Sequence, residues 1–440
     1  FLRLGYIQLF KGGKLTAEAV RQRAQTVILN HNRGDILDRN GISLLGGKEE
    51  KVLAVFPSLL GKGDEDAIKI IAGFVPQAAT AGAPFIALHG VEPWEEELFN
   101  NLPLPGLVVT KARSRYGPEA LATHVTGHVG TADGKGKVGL ELVFNRELAG
   151  PSPTTLAAII DNKNNLVRGL GYRLWESKEA HRPYNLILTI DANIQKKVEE
   201  IMDTRIARGG VVVMDPHSGD ILAMASRPNY LQVDLHRYLS GEEEYGDLLE
   251  AQPFINRAIL SYPPGSVFKI VVAAAALETG KTWLGKRYYC PGFIQVGEKV
   301  FNCPHGPHGE VTLAQAFAHS CNSVFIELAL ELGKETIYSY AAAMGLGKET
   351  GIPLGNAEQG GEAGGMLPLP EEMTFLGDLA LAAIGQGQVE ATPLQVARLT
   401  SIIANGGYLV EPRLVKALHS RQGLPVKRFG SASRARVLNP

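Results

Sequence analysis

The sequence predicts an α+β multidomain chain: a β-rich support region over residues 1–180, followed over 181–440 by strands that alternate with apolar helices. Three observations predict it. From residue 45 to 180, short apolar runs are broken repeatedly by Gly, Pro and Asn, the pattern of short strands and turns. Gly210–Asp215 and Asp220–Ala225 are β-prone runs joined by Pro216-His217-Ser218-Gly219, a hairpin signal. Pro263-Pro264-Gly265 then precedes Val267–Leu277, in which Lys269 is the only charged residue, so a helix with almost no polar face should be buried.

In chain order, Lys14–Arg23 reads as a helix and Gln25–Leu29 as a strand. Arg33-Gly34-Asp35-Ile36-Leu37-Asp38-Arg39-Asn40-Gly41 ends in the Asn-Gly turn signal, and its charges should be paired in a structural turn. Glu65–Phe74 and Glu92–Asn100 read as helices, and Leu107–Lys111 and His124–Thr131 as strands. Gly139-Leu140-Glu141 opens a helix that ends near Leu148, and Asp161–Leu170 is a turn between strands. Tyr184–Ile190 alternates as a strand, and Asp191 caps a helix over Ala192–Ala207. Thr312–Ala318 and Val324–Leu332 are helices separated by His319-Ser320-Cys321-Asn322. Thr392-Pro393 starts a long helix to Ala404, closed by Asn405-Gly406-Gly407.

Composition excludes several classes. With 440 residues, 45% hydrophobic and 20% charged, the chain is an ordinary globular one with room for a full core. A net charge of -1 offers nothing to a polyanion, so nucleic acid is not an expected partner. No apolar run is long enough to span a bilayer. Phe1–Leu9 reads either as the shoulder of a removed membrane anchor or as an amphipathic segment, and both ends of the chain read as cut.

The chemistry concentrates in two places. Ser266 and Lys269 are spaced to share one face of the helix start. Desolvation and the positive helix end both depress an amine's pKa, which would let Lys269 take the proton of Ser266 in nucleophilic catalysis. The alternative is a plain Ser266 N-cap with Lys269 reaching to solvent. Ser320 and Asn322 lie in the connection between two helices, where a rigid scaffold can expose polar groups, or where they simply cap helices. Cys290 and Cys303 bracket a hairpin over 291–301, and His305 and His308 follow. A zinc site is considered there and disfavoured, because the spacing lacks a Cys-x-x-Cys knuckle. A cross-hairpin disulfide and two plain thiols stay open.

Together these motifs resemble the penicillin-binding proteins over nearly the whole chain. Ser266-Val267-Phe268-Lys269 resembles the family's Ser-x-x-Lys and Ser320-Cys321-Asn322 its Ser-x-Asn, in the right order. Leu188-Thr189-Ile190-Asp191, the Asp215–Gly219 turn and Ile384-Gly385-Gln386-Gly387 fit as well. Arg33–Gly41, Arg115-Tyr116 and Gly139-Leu140-Glu141 resemble the N-terminal region of class B, the monofunctional transpeptidases. The resemblance implies a pedestal domain over 1–180 and a transpeptidase domain over 181–440, built as an antiparallel sheet flanked by helices like the serine β-lactamases. It implies that Ser266 attacks the D-Ala-D-Ala carbonyl of a peptidoglycan stem peptide with Lys269 as base. Ser320 relays the proton to the departing D-alanine, and Asn322 binds substrate and helps hold Lys269. β-Lactams would acylate the same serine. No cofactor or metal is implied. A single N-terminal membrane anchor, an extracytoplasmic catalytic part and a membrane glycosyltransferase partner are.

One departure is expected to matter. The family's Lys-Thr-Gly or Lys-Ser-Gly motif does not follow the nucleophile here, and the nearest string, His217-Ser218-Gly219, precedes it. The motif is expected beyond Pro440, so this stretch alone is expected to be impaired in β-lactam labelling. The Gly-rich segment 355–366 has no functional reading. The competing readings are a serine β-lactamase-type hydrolase, which would not need residues 1–180, and a non-catalytic β-lactam sensor or wall scaffold.

Overall fold

The computed structural model describes all residues except 1–2, 4–5, 61–82, 103, 131–132, 177–182, 236–237, 239–249, 356–360, 431–432 and 440. The helix expected at Glu65–Phe74 lies outside the described residues.

The N-terminal part carries two antiparallel sheets. One orders β1 (Ala24–Asn30), β6 (Thr154–Ile159) and β7 (Tyr172–Trp175); the other orders β4 (Phe85–His89), β3 (Glu49–Val55) and β5 (Leu107–Arg113). Val27, Leu29, Val52, Ala54, Phe56 and Leu156 bury a shared core between them. β1 alternates, with Val27 and Leu29 facing the core, whereas β3 is buried on both faces over Val52–Val55, its Leu53 and Val55 packing with Val91 and Phe99.

A four-stranded sheet joins the two parts of the chain. Its order is Pro425–Arg428, Val415–His419, β8 (Asn185–Leu188) and β2 (Ile36–Leu37), with β2 parallel to β8. Ile36, Leu44, Val125, Leu140 and Leu148 share a buried cluster with Leu186, Ile221, Leu394 and Leu414. The core therefore runs across the division expected at residue 180.

The Arg33–Gly41 segment is a structural turn, as its charges predict. Arg33 and Arg115 both pair with fully buried Glu141, the first at 2.7 Å. Asp38 accepts from the amides of Asn40 and Ile42 at 2.8 Å and of Ala192 at 3.0 Å, tying the turn to the helix Ala192–Arg205. Asp191 caps that helix through the amides of Asn193 and Ile194.

One element differs from expectation. The segment read as a strand over His124–Thr131 begins with a helical turn, Thr123–Thr126, and Val129 makes only an isolated bridge to Gly136. The β-branched residues suggested a strand, but tertiary packing decides: Thr123, Val125 and Thr126 are buried. Gly127 then turns at φ +74 in direct contact with the Val138 carbonyl, which an added Cβ would meet at 1.9 Å.

The third layer is helical. The helix Lys269–Glu278 packs against Asn322–Leu332 and Lys334–Ala343, inside a core that includes Val271, Val272, Phe325, Leu328, Ile337 and Leu379. Its partly polar first turn is the part left at the mouth of this core.

Candidate active site

Local sequence shapes the turn that carries Ser266. Gly265 adopts φ +59, a conformation open to glycine, and the chain makes one tight turn over Gly265–Phe268 before the helix Lys269–Glu278. In such a 3₁₀ turn the side chains at i and i+3 nearly eclipse. Lys269 Nζ accordingly lies 3.2 Å from Ser266 Oγ. The N-cap position of that turn is Pro264, Ser266 Oγ contacts Lys269 and Ser320 instead, and Lys269 is buried rather than reaching to solvent, which argues against the plain N-cap reading.

The second element reaches the same point from another direction. Thr312 and Gln315 form a capping box that starts the helix Leu313–Ala318. The next helix begins at Asn322, and between them Ser320 sits at φ +53. A non-glycine residue there is strained and is held by its surroundings. Ser320 Oγ lies 2.8 Å from Ser266 Oγ and 2.9 Å from Lys269 Nζ. The Ser320 carbonyl and Asn322 Oδ1 lie 2.7 and 2.8 Å from the same nitrogen. Asn322 Nδ2 donates to the Asn302 carbonyl at 2.8 Å, and that bond fixes which end of the amide faces the lysine.

Burial and these contacts together make the neutral amine accessible and orient it. The side chain of Lys269 is buried, with the residue 1% exposed, and no carboxylate pairs with it among the described residues. Burial lowers its pKa from 10.5 to about 8, against an upward pull from Cys321 and Cys303. A neutral amine has two N–H donors and one lone pair. The Ser320 carbonyl and Asn322 Oδ1 can only accept, so they take both donors. The lone pair is left for the hydroxyls of Ser266 and Ser320. A cleft of about 370 Å³ opens onto this group, lined also by Val267, Ile270, Phe317, Val396 and Thr400.

A second cluster backs onto the first. The Sγ atoms of Cys290, Cys303 and Cys321 and a ring nitrogen of His308 all lie within 4.8 Å of one another. The thiols are free, with Sγ–Sγ distances of 3.6 Å for Cys290–Cys303 and 3.8 Å for Cys303–Cys321. The cross-hairpin disulfide is therefore not formed. Four sulfur and nitrogen donors around a tetrahedral zinc at a Zn–S distance of about 2.3 Å would place sulfurs about 3.8 Å apart, so the donors fit that ion. His308 Nε2 is buried and has no hydrogen-bond partner among the described residues. Burial opposes ionisation of Cys290, yet hydrogen bonds from His308, Gly292 and Ser323 outweigh it and bring the thiol to about 6. The hairpin over 291–301 is present, as strands Phe293–Val296 and Lys299–Asn302.

Sequence reasoning located Ser266, Lys269, Ser320 and Asn322, and the structure brings all four together. The spacing of Cys290 and Cys303 disfavours a zinc site at the hairpin, so the four-donor cluster is not foreseen from sequence. The two thiols and His308 were in view, but the fourth donor, Cys321, is the middle residue of Ser320-Cys321-Asn322 and was read only as a spacer. In the Gly-rich segment 355–366, Glu362 is buried and accepts from the amides of Thr350 and Gly351 at 2.8 and 3.1 Å.

Residues 209–436 match the model of the penicillin binding protein transpeptidase domain. Stage V sporulation protein D of Bacillus subtilis is 30% identical over 94% of this chain and 64% of its own length. Peptidoglycan D,D-transpeptidase MrdA of Acinetobacter baumannii is 27% identical over 97% of this chain and 68% of its own length. The chain thus spans about two thirds of these relatives. A solved structure of a peptidoglycan synthase complex, described for its coordination of polymerization and crosslinking, superposes with a TM-score of 0.67 at 26% identity, covering 100% of this chain and 79% of the other.

Proposed function

The chain belongs to the penicillin-binding protein transpeptidase family, and on that premise we propose that it is the core of a peptidoglycan D,D-transpeptidase with Ser266 as nucleophile. The observation that carries the reading is the meeting of Lys269 Nζ with Ser266 Oγ, Ser320 Oγ and Asn322 Oδ1 at 3.2, 2.9 and 2.8 Å.

In this reading Lys269 accepts the Ser266 proton as Oγ attacks the carbonyl of the penultimate D-alanine. The tetrahedral intermediate collapses, the C–N bond to the terminal D-alanine breaks, and the proton passes through Ser320 to the departing amine. An ester on Ser266 remains. The amine of a neighbouring stem peptide attacks that ester, returns the proton along the same route and leaves a new peptide bond. A β-lactam follows the first half of this path, but its leaving group stays tethered. Asn322 serves twice: it binds substrate, and it occupies one N–H of Lys269 so that the lone pair stays on the serine side.

The Cys290, Cys303, His308 and Cys321 cluster is read as a closed zinc site. Four protein donors leave no open position, so its role is structural: it anchors Cys321 and with it the two flanking residues. Residues 1–180 are read as a pedestal and 181–440 as the transpeptidase domain. A single anchor preceding the chain would hold it outside the cytoplasm beside a membrane glycosyltransferase, in line with the synthase complex it resembles. No helix among the described residues is long and apolar enough to cross a membrane.

The test uses the full-length protein with a fluorescent penicillin and with pentapeptide stem donors. Covalent label and cross-linked product are expected from wild type and neither from Ser266→Ala. Rapid turnover of a chromogenic cephalosporin would instead identify a hydrolase. Restored growth of a depleted strain by Ser266→Ala would identify a scaffold.

A further inference from the structure

The segment before Ser266 is gripped by a loop distant in sequence. Gly265 N–H donates to the Gly385 carbonyl at 2.9 Å. Tyr262 and Ala391 exchange both backbone bonds, at 3.0 and 2.8 Å. The gripping loop is itself rigid at both ends. It follows the helix Leu376–Ala383, whose terminus is closed by Gly385 N–H to the Ala382 carbonyl at 2.8 Å and Gln386 N–H to the Leu381 carbonyl at 3.0 Å. It leads into Thr392, which caps the helix Pro393–Ala404. Val396 and Thr400 of that helix line the cleft.

Gly385 is constrained twice. It sits at φ +67, and a Cβ built on it would lie 2.0 Å from the Gly265 carbonyl oxygen and 2.8 Å from the Gly265 nitrogen. Both are backbone atoms of the residue joined to Ser266, so no side chain can rotate out of the way. Gly387 provides an internal contrast. It has φ +75, but its nearest neighbour is the Leu381 side chain at 3.3 Å.

We infer that Gly385 is a positioning residue for acylation: its carbonyl and its missing side chain set the peptide plane that enters Ser266, and so the distance from Ser266 Oγ to Lys269. The inference rests on Ser266 being the nucleophile. Within Ile384-Gly385-Gln386-Gly387 it assigns to Gly385 alone a mechanical role rather than contact with substrate. A displacement of about 1 Å at a reacting atom costs about a hundredfold in rate.

The test measures acylation of the full-length protein by a fluorescent penicillin over a concentration series, separating the limiting rate from the non-covalent dissociation constant. Gly385→Ala should lower the limiting rate by about a hundredfold and leave the dissociation constant within about twofold. Gly387→Ala carries the same backbone strain and should keep a limiting rate within about threefold of wild type. Equal limiting rates in the two variants would overturn the inference. An unlabelled wild type would instead overturn the assignment of Ser266. Hydrogen exchange of wild type gives a check that does not depend on either variant folding. The Gly265 amide should exchange as slowly as amides of the helix Lys269–Glu278, and fast exchange there would refute the clamp.

Discussion

Replacing Asn322 by Asp tests the lysine-as-base reading most directly. With a pKa of about 8, roughly one tenth of Lys269 is neutral at pH 7. At its ordinary 10.5 the fraction would be about three in ten thousand, so burial raises the reactive form by about 300-fold. Asn322 Oδ1 lies 2.8 Å from the amine and adds no charge. A carboxylate at that distance favours the ammonium and raises its pKa by about 1–3 units. The acylation rate of Asn322→Asp should therefore fall by about 10- to 1000-fold at pH 7 and recover progressively as the pH is raised. The assay is the penicillin acylation rate of full-length protein from pH 6 to 10. Wild type should rise through a midpoint near 8 and level off. Asn322→Asp should carry that midpoint upward, and Asn322→Ala, which introduces no charge, should not. A loss in Asn322→Asp that is the same at every pH, with an unmoved midpoint, would refute the assignment of Lys269 as the base.

Lys269 should also leave a mark on stability. Its folded pKa is lowered to about 8 from 10.5, so between those values the unfolded chain binds more protons and folding stability rises with pH. Relative to Lys269→Met, wild type should gain roughly 3 kcal/mol over that interval in denaturant unfolding, and parallel curves would contradict the burial argument. Elemental analysis should find zinc bound to the purified protein; strong chelation should lower the melting temperature and slow acylation, as should Cys321→Ser, and a protein that neither carries nor takes up zinc would dispose of the site. Glu141→Gln leaves Arg33 and Arg115 facing an uncharged amide in the core, and should destabilise by about 3–5 kcal/mol; a cost under about 1 kcal/mol in urea titration would show that the network is not a structural tie.

What could be read from sequence was local. Ser266 and Lys269 are neighbours on any helical or 3₁₀ path, so their meeting follows from spacing alone. Asp191 caps the helix expected of it, and the helices read to start at Thr312 and Thr392 do start there, each residue serving as the cap, because a helix start depends on only a few residues. The failures were non-local. Thr123–Thr126 has strand propensity but is folded into a helical turn by burial. Nothing near Ile36 indicates that it pairs in parallel with Leu186, a contact that draws the first region into the core of the second. The left-handed Ser320 was also hidden, since its backbone is dictated by the two helices that meet there.

The arrangement of Ser320-Cys321-Asn322 explains why these hidden features belong together. Ser320 and Asn322 reach Lys269, while Cys321 between them is fully buried and lies 3.8 Å from Cys303. Cys303 in turn follows Asn302, whose carbonyl orients the Asn322 amide. Two adjacent residues at the end of the hairpin, Asn302 and Cys303, thus hold two adjacent residues of the Ser320–Asn322 turn, Asn322 and Cys321. A strained φ at Ser320 persists only if its neighbours are fixed, and this double link fixes them from the side away from substrate. On the other side the Gly385 loop holds the turn of Ser266. The two serines and the lysine are therefore braced by contacts made just outside the cleft as well as by their bonds to one another.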